Sequence, residues 1–210
     1  MKKLFAYKYR ISFAAIALLL SFSLCNCGSS LDRRSKMIVS VRDQKLLLTR
    51  DGHPVKSYKI STSKFGIGSN SGSNRTPLGK LQVAKKIGGS APAGMVFKSR
   101  RPTGEILRPN TPGRDPIVSR IMWLNGKEGG NKNTFGRCIY IHGTPEEWRL
   151  GIPASYGCIR MSSRDVVDLY KRIGVGAEVQ VIRGGLPSAA ATNNYANVSS
   201  NDTTGSNQGS

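Results

Sequence analysis

The hexapeptide Ser155-Tyr156-Gly157-Cys158-Ile159-Arg160 is the stretch around which this 210-residue chain is organised. It places a thiol directly after a glycine and two residues before an arginine. The thiolate is the reactive form of cysteine, and nearby positive charge and backbone N–H groups favour it. The hexapeptide therefore predicts that Cys158 is an activated nucleophile. Arg160 is expected to lower the pKa of the thiol or to bind a substrate carboxylate.

The residues before Cys158 predict a site for a developing negative charge. Gly157 lets the backbone N–H groups of Tyr156, Gly157 and Cys158 converge on one point, as an oxyanion in acyl transfer requires. The Ser155 hydroxyl can donate one further hydrogen bond. Most free cysteines are small buried apolar residues, and the hexapeptide alone leaves that alternative open for Cys158.

A cysteine nucleophile needs a base, and His142 is one of only two histidines in the chain. It follows an apolar run and precedes Gly143, whose backbone carbonyl is the predicted group that orients the imidazole ring. The other histidine, His53, lies in an Asp-Gly-His-Pro turn, where exposure is expected. His142 is therefore the predicted proton acceptor and donor.

The run that leads to His142 predicts a strand over residues 138–142. On a period of two, Cys138, Tyr140 and His142 share one face, which makes Tyr140 a candidate substrate contact. Cys138, His142 and Cys158 could surround zinc, but the chain has no Cys-x-x-Cys or His-Glu-x-x-His motif, so no metal is expected. A Cys138–Cys158 disulfide is a further alternative, and it would leave Cys158 without the free thiol that a nucleophile needs.

Outside these two stretches, three short strands joined by tight turns between residues 37 and 61 predict an antiparallel sheet. A helix is expected to begin at Ser162, where Ser-x-x-Asp resembles a capping box, and to end at Gly174. Long segments rich in Gly, Ser, Asn and Pro predict loops that form a binding surface. The predicted strands span 37–41, 46–48, 55–61, 80–86, 117–124 and 177–182, and the predicted loops span 61–79, 88–94, 100–115 and 125–136.

Both ends of the chain differ in composition from its middle. Residues 1–27 combine basic residues with an apolar run of fourteen, which predicts an export signal. The end of this segment resembles a lipoprotein signal with Cys27, or less well Cys25, as the lipidated residue. Residues 28–35 are a predicted linker, 36–183 the folded domain, and 184–210 a polar tail that cannot bury enough apolar surface to fold.

The formal net charge is +20, from 32 basic and 12 acidic residues. Four basic residues lie in the first 24, so the remainder still carries 20 − 4 = +16. Such a surface attracts anionic polymers, among them nucleic acid, anionic lipid and the carboxylates of cell-wall peptides. The basic residues are scattered and no nucleic-acid motif accompanies them, so nucleic acid is not an expected partner.

Several motifs in order resemble the L,D-transpeptidase catalytic domain, which acts on bacterial peptidoglycan. His142-Gly143-Thr144 followed by Ser155-Tyr156-Gly157-Cys158-Ile159-Arg160 is similar to that family's histidine and Ser/Thr-x-Gly-Cys-x-Arg/Asn signature. Ser61-Thr62-Ser63 and Thr76-Pro77-Leu78-Gly79 resemble the family's strand end and its Thr-Pro-x-Gly loop. Asp165, Leu169 and Tyr170 fit the helix after the cysteine, and the resemblance covers residues 36–183.

The resemblance implies a mainly β sandwich or barrel with one or two short helices and long loops over the active site. It implies that Cys158 forms a thioester with a stem tetrapeptide, that His142 transfers the proton, and that an amine acceptor completes the cross-link or attachment. Arg160, Ser155 and Tyr140 would contact substrate or orient the site, and no cofactor is implied. The enzyme would act in the periplasm or cell envelope, either free or anchored through Cys27.

Two alternatives stay open at this point. Water as the acceptor would make the protein an L,D-carboxypeptidase or another amide hydrolase, and loss of activity would leave a cell-wall-binding module. Tyr156 also departs from the family pattern, because many members carry histidine at this position.

Overall fold

Ten β-strands form one sheet, and the sheet closes on itself. The protein is described by a computed structural model, in which residues 30–187 are placed. The elements are β1 (Ser35–Ser40), β2 (Lys45–Arg50), β3 (His53–Ser61), β4 (Gly79–Ile87), β5 (Met95–Lys98), β6 (Arg101–Ile106), β7 (Ile117–Gly126), β8 (Tyr140–Gly143), β9 (Ile159–Met161), helix α1 (Ser163–Arg172) and β10 (Glu178–Ile182).

The strand order explains the closure. The order is β4-β10-β1-β2-β3-β9-β8-β7-β5-β6, and an additional pairing joins β4 to β7. Eight strands therefore make a closed ring, from which β5 and β6 extend as an antiparallel hairpin. Closure removes free edges from those eight strands. The mainly β sandwich or barrel predicted from the sequence is confirmed.

The first three strands form where the sequence alternates. Apolar side chains of β1 and β2 point into the interior of the ring. In β3 the first five residues are exposed, and burial begins at Tyr58. The β2–β3 turn uses Asp51 and Gly52, both with positive φ (50° and 82°), as the Asp-Gly pair predicts. Gln44 also has positive φ (48°) and closes the β1–β2 turn.

The helix α1 packs against the sheet next to β8. Ser162 is its N-cap and accepts a hydrogen bond from the Asp165 N–H (3.0 Å), so the predicted helix start is confirmed. Val166 and Leu169 are fully buried in the main core, and the helix ends before Gly174, as predicted. The helix thereby covers β7 and β8.

Two local predictions differ from the structure. The segment 100–115 was expected to be a loop, but β6 occupies its first half. All six β6 residues are exposed, and the strand contains Pro102 and Gly104, so no apolar alternation marked it. Cys138 was expected within a strand, but it has positive φ (56°) and precedes β8, which begins at Tyr140.

The folded domain extends slightly beyond the predicted limits of 36 and 183. Asp32 accepts a hydrogen bond from the Gly174 N–H (2.7 Å), and β1 begins at Ser35, so the end of the predicted linker belongs to the domain. At the other end, Gly184 accepts a hydrogen bond from the Ser40 hydroxyl (2.7 Å). The predicted export signal, Cys25, Cys27 and most of the predicted tail lie outside the described residues.

Between residues 30 and 187, no helix has both the length and the apolar character that a membrane span requires.

Candidate active site

Cys158 lies immediately before strand β9 and is not part of it. The next residue begins β9, which pairs in parallel with β8. The Cys158 Sγ accepts a hydrogen bond from the Tyr140 N–H (3.4 Å), and the thiol donates to the Cys138 carbonyl (3.5 Å). The side chain packs against a small apolar cluster around Phe97, Ile121 and Tyr140. The parallel pairing therefore positions the thiol beside the first residue of β8.

The surroundings of Cys158 favour the protonated thiol. Burial raises the pKa of Cys158 to about 11, because a thiolate loses hydration there. The Tyr140 N–H acts in the opposite direction, as do the charges of Arg137 and Arg160, but they do not outweigh burial. Arg160 thus acts on the pKa of Cys158 in the predicted direction, but the net pKa is raised, and the thiol needs a partner to accept its proton.

His142 is held in one orientation. The ring is 6% exposed, and its Nδ1 lies 2.9 Å from the Gly143 carbonyl oxygen. A carbonyl can only accept, so Nδ1 carries the proton and Nε2 is left with a free lone pair. Burial is the main cause that lowers the pKa of His142 below its ordinary value of 6.5. The neutral imidazole is therefore the resting form, and it can act as a base.

The ladder between β8 and β9 sets the relation between His142 and Cys158. His142 pairs with Arg160, while Cys158 lies beside Tyr140. Tyr140 and His142 are two residues apart on β8, about 6–7 Å along the strand, and share a face. No hydrogen bond joins His142 to Cys158 among the described residues. Substrate-free enzymes often have such long separations, which shorten when the reacting group is bound.

The backbone before Cys158 leaves two N–H groups available. Gly157 has positive φ (114°), a conformation that costs little only without a side chain. Its N–H points to the Ser155 hydroxyl oxygen (3.3 Å), so it is engaged within the loop. The N–H groups of Tyr156 and Cys158 donate to no protein acceptor in the described part of the chain. Two of the three predicted oxyanion donors are therefore free to bind a substrate oxygen.

Ser155 shapes this loop and does not face the solvent. Its side chain is 3% exposed, and the hydroxyl donates to the Cys158 carbonyl (2.6 Å). Thr76, from the Thr-Pro-Leu-Gly motif, donates to the Gly157 carbonyl (3.1 Å) from the other side. The substrate-binding role predicted for Ser155 is replaced by a positioning role, because its hydroxyl is already engaged.

Arg160 is the centre of a buried ion network. The side chain is 2% exposed, and one terminal nitrogen donates to the carboxylates of Asp115 and Glu146. The other terminal nitrogen reaches the Ser61 hydroxyl (3.5 Å). A substrate carboxylate has no access to this guanidinium, so the predicted direct contact is wrong. Its other predicted role, orienting the catalytic loop, agrees with these contacts.

Asp115 is the residue that sequence analysis missed. It ends a Pro- and Gly-rich segment 45 residues before Arg160. One of its oxygens accepts from Arg160 and the other from the Thr144 hydroxyl, and its charge acts on His142. The direct pairing of β7 with β8, and of β8 with β9, brings this loop next to the site. The single available signal was that Asp115 lies two residues before β7, the strand that pairs with β8.

Tyr140 and Cys138 form the other wall of the site. Tyr140 is 5% exposed, and its hydroxyl accepts from Arg100 (3.3 Å). Burial is the main cause that raises the pKa of Tyr140 to about 12. Tyr140 thus touches the nucleophile through its backbone and has little surface left for substrate. Cys138 and Cys158 are both free thiols, so the disulfide alternative is not found.

A metal site was the remaining alternative for these side chains. Within residues 30–187, no three His, Cys, Asp or Glu side chains are gathered closely enough to hold a metal ion. The zinc arrangement of Cys138, His142 and Cys158 is therefore not formed there.

Comparisons with known proteins bear on this site. The family model described as the L,D-transpeptidase catalytic domain (YkuD) matches residues 34–181. "Putative L,D-transpeptidase YqjB" of Bacillus subtilis is 46% identical over 145 residues, which is 69% of each chain. "Probable L,D-transpeptidase YbiS" of Escherichia coli K12 is 38% identical over 47 residues, so the match covers 22% of this chain and only 15% of that relative. A solved L,D-transpeptidase from Mycobacterium smegmatis has 18% identity and a TM-score of 0.43, over 71% of this chain and 58% of that one.

The ion network makes a prediction about stability. Replacing Arg160 by Met leaves the partly buried Asp115 without its ion-pair partner and leaves Glu146 with Arg149 alone, which we expect to lower the free energy of unfolding by about 3 kcal/mol. Urea denaturation followed by circular dichroism measures this. Arg149→Met removes only the more exposed partner of Glu146, and we expect a loss below about 1 kcal/mol. Equal, small losses in both variants would contradict the central role of Arg160.

Proposed function

Because this chain belongs to the L,D-transpeptidase catalytic-domain family, we propose that it is a cysteine acyltransferase that acts on peptidoglycan stem peptides. The observation that carries the proposal is the pairing of β8 with β9. It puts a free thiol beside the strand that bears a buried imidazole with a free Nε2 lone pair. A thiol and a neutral imidazole in this relation support nucleophilic acyl transfer.

In the first step the Cys158 sulfur attacks the carbonyl carbon of the third stem residue, a diamino acid. The thiol proton moves to Nε2 of His142 as the S–C bond forms, since the raised pKa of Cys158 disfavours a preformed thiolate. The carbonyl oxygen takes up negative charge, which the N–H groups of Tyr156 and Cys158 stabilise. The C–N bond to the terminal D-alanine then breaks, and the imidazolium donates its proton to the leaving amine.

In the second step an amine attacks the thioester. The new C–N bond forms as His142 accepts a proton from the acceptor amine. The C–S bond breaks, and the imidazolium returns this proton to the leaving Cys158 sulfur. The same site with water as the nucleophile gives hydrolysis, so the acceptor decides between transpeptidase and carboxypeptidase. Gly143 keeps Nε2 directed to the reaction in both steps by fixing Nδ1.

Incubation with purified tetrapeptide muropeptides tests the reaction. We expect a protein adduct on Cys158 and cross-linked products, both detected by mass spectrometry. Tripeptides alone would identify a carboxypeptidase instead. We expect Cys158→Ala to lose the adduct completely and to keep its fold, while Cys138→Ala, the matched control, still forms it. An adduct on Cys158→Ala, or no adduct on the wild type, would overturn the proposal.

The buried position of His142 predicts the pH dependence of acylation. Since burial lowers the pKa of His142 below 6.5, the neutral base persists as the pH falls through 6.5 and is protonated only in more acidic solution. We expect the acidic limb of kcat/KM for acylation to have its midpoint below pH 6.5. His142→Gln should lose at least about 100-fold in rate and lose this limb, whereas His53→Gln in the exposed turn should keep it. A midpoint at or above 6.5 would contradict the assignment.

The family is typically extracytoplasmic, and we propose that residues 1–27 direct export to the cell envelope. Growth with a labelled fatty acid tests the anchor. Label that disappears in Cys27→Ser but not in Cys25→Ser would identify a lipoprotein anchored through Cys27. Unlabelled wild-type protein in the envelope would show export without lipid attachment, and protein retained in the cytoplasm would contradict export.

A further inference from the structure

An exposed cation is fixed against the loop that carries the nucleophile. The Lys64 Nζ donates a hydrogen bond to the Tyr156 hydroxyl (2.8 Å) and lies 4.3 Å from the centre of the Tyr156 ring. It also lies 5.2 Å from the centre of the Phe65 ring, and the two rings are 5.5 Å apart. Contacts of this length are attractive, so both rings hold the ammonium group in place.

The backbone joins this cluster to the catalytic loop. Ser63 forms a parallel bridge with Ser155, and the Lys64 N–H donates to the Ser155 carbonyl (3.1 Å). Tyr156 itself lies two residues before Cys158. Lys64 is therefore bound to the hexapeptide at two points, through its backbone N–H and through its ammonium group.

The cluster is open to solvent in spite of its aromatic content. Tyr156 is 62% exposed and Phe65 is 45% exposed. An ammonium has three donors, and Tyr156 accepts from only one of them. In the described part of the chain, no Asp or Glu forms an ion pair with Lys64. Two donors are thus left without an anionic partner among the described residues.

We propose that Lys64, held by Tyr156 and Phe65, is a specificity-determining residue that binds a free carboxylate of the donor stem peptide. This inference rests on the proposed function and deepens it. Arg160, which the sequence suggested for this task, is buried and already paired with carboxylates. Lys64 is a cation next to the hexapeptide that still has donors to offer, and it is the one that two aromatic rings hold in place. Because the rings already restrict its side chain, less rotamer freedom is lost when a carboxylate binds.

The same arrangement gives a role to the unusual Tyr156. A hydroxyl that accepts from Lys64 and a ring beneath the ammonium require tyrosine, since phenylalanine lacks the acceptor and histidine is a smaller ring. Tyr156 thus has two separate contributions: its backbone N–H faces the oxyanion, and its side chain positions Lys64.

Peptide binding to a Cys158→Ala chain separates recognition from chemistry. We expect Lys64→Met in this background to weaken binding of the tetrapeptide about 10-fold at low salt, as measured by calorimetry. Tyr156→Phe should give a smaller loss, since it keeps the ring. Lys45→Met, which removes the same charge from an exposed strand end in β2, should leave binding unchanged.

Amidated peptides identify the carboxylate. One peptide is amidated at the terminal D-alanine, and others at the internal carboxylates. The peptide whose affinity no longer responds to Lys64→Met lacks the group that Lys64 binds. An equal loss for every peptide, or no loss for the unmodified one, would overturn the inference.

The outcome for Lys64 is distinct from the outcome for the proposed function. If wild-type protein forms the Cys158 adduct but Lys64→Met changes neither binding nor kcat/KM, only the carboxylate assignment fails. If the unmodified peptide neither binds nor acylates the chain, the proposed function fails, and the carboxylate assignment fails with it.

Discussion

The parallel pairing of β8 with β9 is the constraint on which the site depends. It is only three residues long on each strand, yet it fixes two neighbours at once, Arg160 beside His142 and Cys158 beside Tyr140. Parallel strands need a crossover, and here the crossover carries a 3₁₀ turn, Glu146 and the loop before the thiol. The connection that the topology requires therefore also supplies one carboxylate of the ion network. A one-residue slip in this register would turn the thiol and the imidazole to opposite faces.

Charge in this site is divided between a structural and a reactive part. Arg160 is compensated by two carboxylates and holds together three separate segments of chain. The pair proposed to react, in contrast, is electrically neutral at rest, because burial raises the pKa of Cys158 and lowers that of His142. A neutral pair avoids the desolvation cost of two buried ions. Charge would then develop only during nucleophilic attack, when the free N–H groups stabilise the oxyanion and the imidazole accepts the thiol proton.

The elements that the sequence predicted well are those whose signals are local. Three such features depend only on neighbouring residues, and all three are present: the alternation in β1 to β4, the Asp51-Gly52 turn and the Ser162 cap. The contact of Gly143 with the His142 ring is local in the same sense. The β6 strand lacked a signal because none of its residues is buried. Asp115 and the burial of Arg160 could not be predicted, since they arise from a contact between residues 45 positions apart that the pairing of β7, β8 and β9 brings together.

Net charge and local charge have different consequences in this protein. A formal charge of +20 strengthens binding to any anionic polymer, nucleic acid and cell wall alike, and does not discriminate between them. Selection needs a cation with fixed geometry at the reacting centre. Arg160 has fixed geometry but is buried and already paired. Lys64 is held by two rings and one hydroxyl and keeps donors that no carboxylate of the described residues occupies. Tyr156, the position that departs from the family pattern, thus holds Lys64 in place. Positive charge that is otherwise spread over the surface is thereby available for a specific contact beside the thiol.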